Sequence, residues 1–171
     1  MNLHQNLWKN CKEGKLREAR QALEAGTNPN TTGDRNMTCL MVAVENNHDQ
    51  VVALLLAKPG IQVKQSILPL DLVLSSPSPG IQVNARDKMN FTALHWACQM
   101  GSVASLTILL AVPGLLLNER NSGGWTPILA AIFYGKTEAV RLMAQVKEVD
   151  LDVKDSHNRS LEDIASRRVR I

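Results

Sequence analysis

The chain is poor in the features that mark secreted and membrane-spanning proteins. Its 171 residues contain only three cysteines, and no two of them form a CxxC pair, which argues against a disulfide framework. The longest apolar stretch, 103–117, is interrupted by Pro113-Gly114 and falls short of the roughly 20 residues that a spanning helix needs. The first residues lack the apolar core of a signal peptide. We therefore expect no membrane span and a cytoplasmic location, with the nucleus as the alternative.

Motifs of common enzymes and cofactor sites are also missing. The chain has no Gly-rich phosphate loop, no HExxH and no GxSxG. Its net charge is only +3, and Lys and Arg alternate with Asp and Glu along most of its length. The one basic cluster, Arg167, Arg168 and Arg170, is typical of a solvated helix end, with a nucleic-acid or acidic-partner patch as the alternative. We expect no catalytic residue, no metal, no cofactor and no nucleic-acid partner.

What the chain does contain is an internal repeat. The stretch TALHWA, which begins at Thr92 and is followed by Gly101, recurs as TPILAA from Thr126, followed by Gly135, after 34 residues. SLEDIA follows after another 34 residues, whereas TCLMVA lies 54 residues before Thr92. The excess of 20 has a visible source, because PGIQV occurs at 59–63 and again at 79–83. One junction between repeats therefore carries an insertion.

Each repeat has the signals of two short helices. A Thr or Ser begins the first helix as an N-cap, an Ala follows five residues later, and Gly or Asn ends the helix. A second apolar stripe with helical spacing comes next, as in 103–110. Two positions before each N-cap stands Asn36, Asn90, Gly124 or Asn158, and these residue types tolerate a left-handed backbone. The pattern predicts helix pairs separated by tight turns.

Helix pairs with this period, together with TALHWAC, TPILAAI and the weaker TCLMVAV and SLEDIAS, resemble the ankyrin-repeat family. The resemblance implies an all-α solenoid of helix-turn-helix units joined by β-turn fingers, in a single domain over residues 1–171. The expected units are about 2–32, 33–64, 84–118 and 119–152, with a half unit at 153–171. The first unit has mostly charged outer positions, as an end cap facing water should have.

The insertion, residues 61–80, lies between the second and third units. Its apolar stretch LPLDLVL is similar to a truncated repeat, but no second helix follows it. The alternative is a loop that extends from the junction between the two units, and Ser75-Ser76-Pro77-Ser78-Pro79 favours this loop because the segment has turn and linker composition.

His95 and Cys98 lie three residues apart, as a metal or catalytic pair on one helix face would. The resemblance instead implies a structural role for the histidine, which bonds locally at the helix start. Cys98 lacks the orienting partner and the electropositive surroundings of a nucleophile. One functional alternative stays open, in which a ligand-binding or enzymatic protein uses the insertion to close a pocket near His95 and Cys98.

The resemblance implies non-catalytic binding of another protein, as adaptor, scaffold or inhibitor, on the concave surface of fingers and inner helices. We expect a monomer without a cofactor, and nothing in the sequence identifies the partner. The expected contact residues at finger and inner-helix positions are Arg35, Met37, Lys88, Met89, Phe91, Gln99, Met100, Trp125, Phe133 and Tyr134.

Aromatic residues are few and unevenly placed. The chain has three Trp, two Phe and one Tyr, and most of them fall at the expected surface positions of the third and fourth units. Exposed rings cost solubility and are typical of contact sites. We therefore expect Trp125, Phe91 and Tyr134 to anchor the partner. In the alternative interpretation, Phe133 and Trp96 pack between units and Trp125 folds onto its own finger.

Overall fold

A computed structural model describes residues 3–57 and 80–168, and this part of the chain forms nine short α-helices and no β-strand. None of the helices in these two ranges is long and apolar enough to cross a membrane. The helices are α1 (Leu3–Lys12), α2 (Leu16–Glu24), α3 (Cys39–Glu45), α4 (Asp49–Leu56), α5 (Ala93–Met100), α6 (Val103–Leu110), α7 (Pro127–Phe133), α8 (Thr137–Ala144) and α9 (Leu161–Arg168).

The helices pack in two rows. In the first row α1, α3, α5, α7 and α9 each contact the next, and in the second row α2, α4, α6 and α8 do the same. Within each pair the first helix also contacts the second. Ala43, Ala97 and Ala131 are all 0 % exposed, and their small side chains let the helices of the first row approach closely. The predicted all-α solenoid is confirmed.

The expected N-caps differ in how they bond. Thr38 and Thr92 accept hydrogen bonds from the backbone N–H groups of Met41 and His95, with N···Oγ1 distances of 3.3 and 3.4 Å. Ser160 bonds with Asp163 in both directions, in the manner of a capping box. The Thr126 side chain makes no such bond, and its buried Oγ1 has no partner among the described residues. Pro127 begins α7 at the position where its missing N–H costs nothing.

Four fingers precede the helices α3, α5, α7 and α9, and we define them as residues 32–38, 86–92, 120–126 and 154–160. Each finger is closed by a hydrogen bond from its second residue to its sixth, for example from Asp87 N to Phe91 O at 3.0 Å. The turn requires a left-handed residue at the fifth position, and Asn90 has φ 58 there. The other three fingers place Asn36, Gly124 and Asn158 in the same conformation, as the sequence predicted.

Asparagine side chains hold the opposite ends of the units in register. Asn84 donates to Gly114 O at 2.8 Å and accepts from Leu116 N at 2.9 Å. Asn118 bonds to residues 148 and 150 of the next unit in the same way. Asn30 repeats the pattern with Gly80 O and Gln82 N. Gly80 and Gly114 therefore occupy equivalent turns.

The hydrogen bonds of Asn30 concern the expected C-terminal end of the insertion, residue 80. We expected residues 61–80 to be the additional segment, but Gly80 belongs to the regular turn that follows a second helix. The described part of that turn is therefore formed by Gly80 and the residues that follow it. Residues 58–79 lie outside the described residues, so the choice between truncated repeat and loop stays a prediction, as do the unit boundaries.

Candidate protein-binding surface

In the second, third and fourth fingers, an acidic or amide side chain holds the tip from inside. Asp87 Oδ1 accepts hydrogen bonds from Met89 N at 2.8 Å and from Phe91 N at 2.9 Å. Asn121 and Asp155 make the same two bonds in the next two fingers. Side-chain oxygens that accept from the backbone two residues ahead stabilise turns without any partner from outside. The exposed tip residues are thereby held in fixed positions.

Neighbouring fingers are also bonded to each other. Lys88 N donates to Arg35 O at 3.0 Å, and Ser122 N donates to Met89 O at 2.9 Å. Between the last two fingers Ser156 Oγ donates to Gly123 O, again at 2.9 Å. The four tips therefore form one continuous row of surface residues.

His95 connects one unit to the next. Its Nδ1 accepts a hydrogen bond from Thr92 N at 3.2 Å, so its Nε2 carries the proton and donates to Trp125 O at 2.9 Å. The ring is 0 % exposed. Burial lowers the pKa of His95 to about 4, against a smaller opposite effect of the Trp125 carbonyl. The neutral imidazole is thus a structural bridge, as the resemblance implied.

Trp8 makes the equivalent bridge in the first unit, and sequence analysis missed it. Trp8 lies six residues before Gly14 as His95 lies six before Gly101, and its Nε1 donates to Met37 O at 2.8 Å. The larger indole ring fills the place where the neighbouring finger would carry a side chain. A Cβ at Gly33 would lie 2.4 Å from the ring, and Gly33 stands where the other fingers have Asp or Asn. The pairing of Trp8 with a finger glycine was the signal available in the sequence.

The cysteines show no sign of reactivity. Cys11, Cys39 and Cys98 are free and buried. Burial raises the pKa of Cys98, while the contact with Cys39, together with burial, raises that of Cys11. Thiols with raised pKa values are poor nucleophiles and poor metal ligands at neutral pH. The described residues also contain no group of three His, Cys, Asp or Glu side chains that could hold a metal ion.

Two cavities of the described residues lie away from His95 and Cys98. An open groove of about 620 Å³ borders Trp8, Lys12 and Asp34, and a smaller one of about 300 Å³ borders the 115–119 loop and Glu148. Neither is lined by His95 or Cys98, whose side chains are 0 % exposed. The alternative function required the insertion to close a pocket near His95 and Cys98. This alternative stays untested, because residues 61–79 of the insertion lie outside the described ranges.

Two clusters of rings lie along the row of fingers. Phe133 packs on Trp125 with ring centroids 4.4 Å apart, and Tyr134 meets Phe133 edge-on at 5.2 Å. In the unit before, Phe91 packs on Trp96 at 5.1 Å. His95 lies between the clusters, because its ring contacts that of Phe91 while its Nε2 bonds to Trp125 O.

The ten expected contact residues divide by burial. Half of them are exposed, namely Arg35, Lys88, Met89, Phe133 and Tyr134. Four are partly buried, namely Phe91, Gln99, Met100 and Trp125. The alternative interpretation expected Phe133 and Trp96 to pack between units. Trp96 is buried, whereas Phe133 is 43 % exposed and contacts Trp125 of its own unit at a tilted angle.

The position of Met37 differs from the one that we expected. We expected its side chain at the surface, but it is 0 % exposed. The first finger lies beneath Trp8, which bonds to the Met37 carbonyl, so the residue before the cap packs inward. At the same position of the next two fingers Phe91 and Trp125 stay partly accessible. Met37 therefore has no place in a contact surface.

Comparisons with known proteins agree with this architecture. The family model for ankyrin repeats (3 copies) matches residues 7–114 and 66–155. The mouse SMC5-SMC6 complex localization factor protein 1 is 42 % identical over 73 residues, which cover 37 % of this chain and 7 % of that protein. The probable 26S proteasome regulatory subunit p28 of Saccharomyces cerevisiae is 24 % identical over 157 residues, 91 % of this chain and 60 % of the yeast protein.

A third relative, the 26S proteasome non-ATPase regulatory subunit 10 of Dictyostelium discoideum, is 30 % identical over 66 residues, 39 % of this chain and 28 % of that protein. The chain thus spans less than two thirds of the length of these relatives. With paired helices in two rows, fingers of one design and a family match over most of its length, the chain belongs to the ankyrin-repeat family.

Proposed function

We propose that this protein is a non-catalytic protein–protein interaction module, and that its partner binds the aromatic face, which we define as Met89, Phe91, Trp125, Phe133 and Tyr134. The observation that carries the proposal is the exposure of large apolar side chains on one finger tip and at the end of the inner helix α7. Met89 is 59 % exposed, Phe133 43 % and Tyr134 40 %. The Phe133 and Tyr134 rings already contact each other, and side chains that are ordered before binding lose less entropy when a partner buries them.

The remaining exposed large apolar residues of the described ranges lie in other elements and include no aromatic ring. Val103 begins α6, while Leu116 and Leu151 lie in the loops after second helices. Single exposed apolar residues are ordinary, whereas contiguous ones indicate contact sites. This contrast favours the aromatic face over the rest of the described surface.

The relatives support a role in larger assemblies. One is named as a localization factor of the SMC5-SMC6 complex and two are named as regulatory subunits of the 26S proteasome. We therefore propose an adaptor, scaffold or inhibitor that acts as a monomer in the cytoplasm or nucleus. The three free, buried thiols are consistent with a reducing compartment.

The test combines photo-crosslinking with binding measurements. A photoreactive amino acid at Met89 should capture a protein partner in cells, whereas the same group at Leu151, which is 47 % exposed, should not capture it. With that partner purified, Phe133→Ala plus Tyr134→Ala should raise its Kd at least about tenfold, because exposed rings often carry 1–4 kcal/mol of binding energy, at about 1.4 kcal/mol per tenfold.

Val103→Ala plus Leu116→Ala is the matched control, since those side chains are 40 % and 46 % exposed. The control should bind like the wild type, and both pairs should retain the melting temperature within a few degrees. Equal capture from both crosslinking sites, or unchanged binding by the Phe133/Tyr134 variant, would show that the partner does not use the aromatic face.

A further inference from the structure

The acidic groups beside the aromatic face are already engaged. Asp87 is 6 % exposed, its Oδ1 accepts two backbone hydrogen bonds, and its Oδ2 accepts one from Trp96 Nε1 at 3.2 Å. Glu119, at the base of the next finger, forms an ion pair with Arg86. No carboxylate of these two fingers is therefore free to receive a cation from a partner.

Two cations of these fingers have no carboxylate partner among the described residues. The Lys88 side chain is exposed, and its backbone is fixed by the bond from its N–H to Arg35 O. The Arg120 guanidinium donates from Nη1 to the carbonyls of Gly124 and Lys154, both at 2.6 Å. Neutral carbonyls orient a guanidinium without cancelling its charge. The two fingers that contain Met89 and Trp125 therefore carry positive charge that no carboxylate of the described residues compensates.

The N-terminal part of the row is different. There Arg35 pairs with Glu45 at 2.6 Å and Lys12 pairs with Asp34 at 3.6 Å. Charges are thus balanced in the first finger and unbalanced in the two fingers that contain Met89 and Trp125. This uneven distribution of charge gives the aromatic face a preferred kind of ligand.

We propose that the partner presents an extended protein segment in which Asp or Glu side chains alternate with large apolar ones. The apolar side chains pack on Met89, Phe133 and Tyr134, and the carboxylates reach the Lys88 ammonium and the Arg120 guanidinium. This inference rests on the proposed function, since it specifies the chemistry of the partner for the same face. Charge complementarity of this kind favours the correct partner and speeds the encounter.

Single-stranded nucleic acid also combines negative charge with flat apolar groups. Its affinity comes from several phosphate contacts at once. The two fingers supply only two unpaired cations, and the preceding finger adds no net charge to extend them into a track. An acidic protein segment therefore fits the face better, and an oligonucleotide is included in the test.

The experiment uses the full chain and four fluorescent probes. Three 12-residue peptides share the same four Leu and Phe residues and carry Glu, Ser or Lys at the remaining positions, and the fourth probe is a dT 12-mer. Fluorescence anisotropy should show the Glu peptide bound about tenfold more tightly than the Ser and Lys peptides, and this advantage should shrink as salt rises from about 50 to 300 mM.

Lys88→Glu should remove most of that advantage. Lys147→Glu is the control, because Lys147 is exposed in the loop after α8, away from the aromatic face, and it should leave the Kd within about twofold. Equal binding of all peptides, tighter binding of the Lys peptide or the oligonucleotide, or no binding at all would overturn the inference. If crosslinking from Met89 still identifies a partner, the proposed function stands while its acidic chemistry does not.

Discussion

His95 shows how one side chain joins two repeats while being kept neutral. Its Nδ1 already faces the Thr92 N–H, so a proton on that nitrogen would place two donors against each other. Its Nε2–H is used by the Trp125 carbonyl. The pKa of His95 is lowered to about 4 from 6.5 because the ring is buried, and the hydrogen bond to the Trp125 carbonyl opposes only part of this effect. The bridge therefore depends on pH.

The sign of this dependence follows from proton binding. Between pH 6.5 and about 4 the unfolded chain binds a proton at this histidine and the folded chain does not, so stability is full above pH 6.5 and falls as the pH drops. The total loss should be about 3 kcal/mol, from 1.36 kcal/mol per pKa unit. Urea unfolding at pH 7, 5.5 and 4.5 measures it.

His95→Leu is the appropriate comparison, because Leu129 occupies the same position in the next unit. At pH 7 the variant should lose about 1 kcal/mol through the missing hydrogen bond, and it should lose the slope that the histidine causes. Carboxylates titrate in both proteins, so the contribution of His95 is the difference between the pH dependence of the wild type's unfolding free energy and that of the variant. A wild type and a variant with parallel stability curves would contradict the assigned pKa.

At the scale of the elements, the fingers share one design with one exception. Asp87, Asn121 and Asp155 close their fingers from inside, whereas the first finger has Gly33 under the Trp8 ring. The first finger has thus exchanged an internal hydrogen-bond acceptor for a ring packed from the neighbouring helix α1. The Trp8 ring fits only where residue 33 lacks a side chain. The effects of substitutions at Trp8 and Gly33 on stability should therefore be coupled.

A double-mutant cycle tests the coupling. Gly33→Asn alone should cost about 2 kcal/mol or more, because its Cβ would overlap the indole ring at 2.4 Å. Trp8→His alone should cost about 1–3 kcal/mol through lost packing. The double variant recreates the His95–Asn121 arrangement and should cost at least 1 kcal/mol less than the sum. Urea unfolding of all four proteins gives the coupling energy.

Gly33→Asn combined with Val103→Ala provides the control for additivity. Val103 lies on α6, far along the chain and outside the contact of Trp8 with Gly33, so the two effects should add within about 0.5 kcal/mol. If the Trp8→His/Gly33→Asn pair were equally additive, the proposed equivalence of the Trp8 and His95 bridges would be wrong.

The helices and fingers were predictable from sequence because their signals repeat. Thr92, Gly101 and Asn90 each recur in register, and each has a local physical reason that needs no knowledge of neighbours. Met37 and Trp8 were not predictable in this way. Their burial depends on contacts between the first helix and the first finger, where the repeat departs from its own pattern.

The candidate site was predictable only in outline. Sequence position placed Phe133 and Met89 on the fingers and inner helices, and the structure gives both exposed side chains. It could not show that Asp87 accepts hydrogen bonds from its own finger and from Trp96, while Lys88 beside it has no carboxylate partner among the described residues. That difference arises from side-chain directions in the folded turn. The alternation of charges along the sequence therefore did not show that unpaired positive charges are unevenly distributed on the surface.

At the scale of the whole molecule, the register across the insertion leads to the last prediction. Gly114 follows the last residue of α6 by four positions, whereas Gly80 follows the last residue of α4 by 24, although both glycines occupy equivalent turns. Deletion of residues 60–79 joins Pro59 to Gly80 and restores the spacing of the next unit. The remaining stretch AKPGIQV then matches AVPGLLL residue for residue in length.

We expect the deletion variant to fold with the same helices and to gain about 1–2 kcal/mol of stability, because closing a shorter connection costs less chain entropy. Urea unfolding and far-ultraviolet circular dichroism check this, and binding of the Glu peptide at the aromatic face should not change.

The control is a deletion of equal length, residues 55–74. This deletion should unfold the chain, because it removes the buried Leu55 and Leu56 from α4. If the 60–79 deletion instead lowered the free energy of unfolding by more than about 2 kcal/mol, the truncated-repeat interpretation would be favoured. A truncated repeat that packs against its neighbours buries apolar surface, and the deletion would remove that contribution.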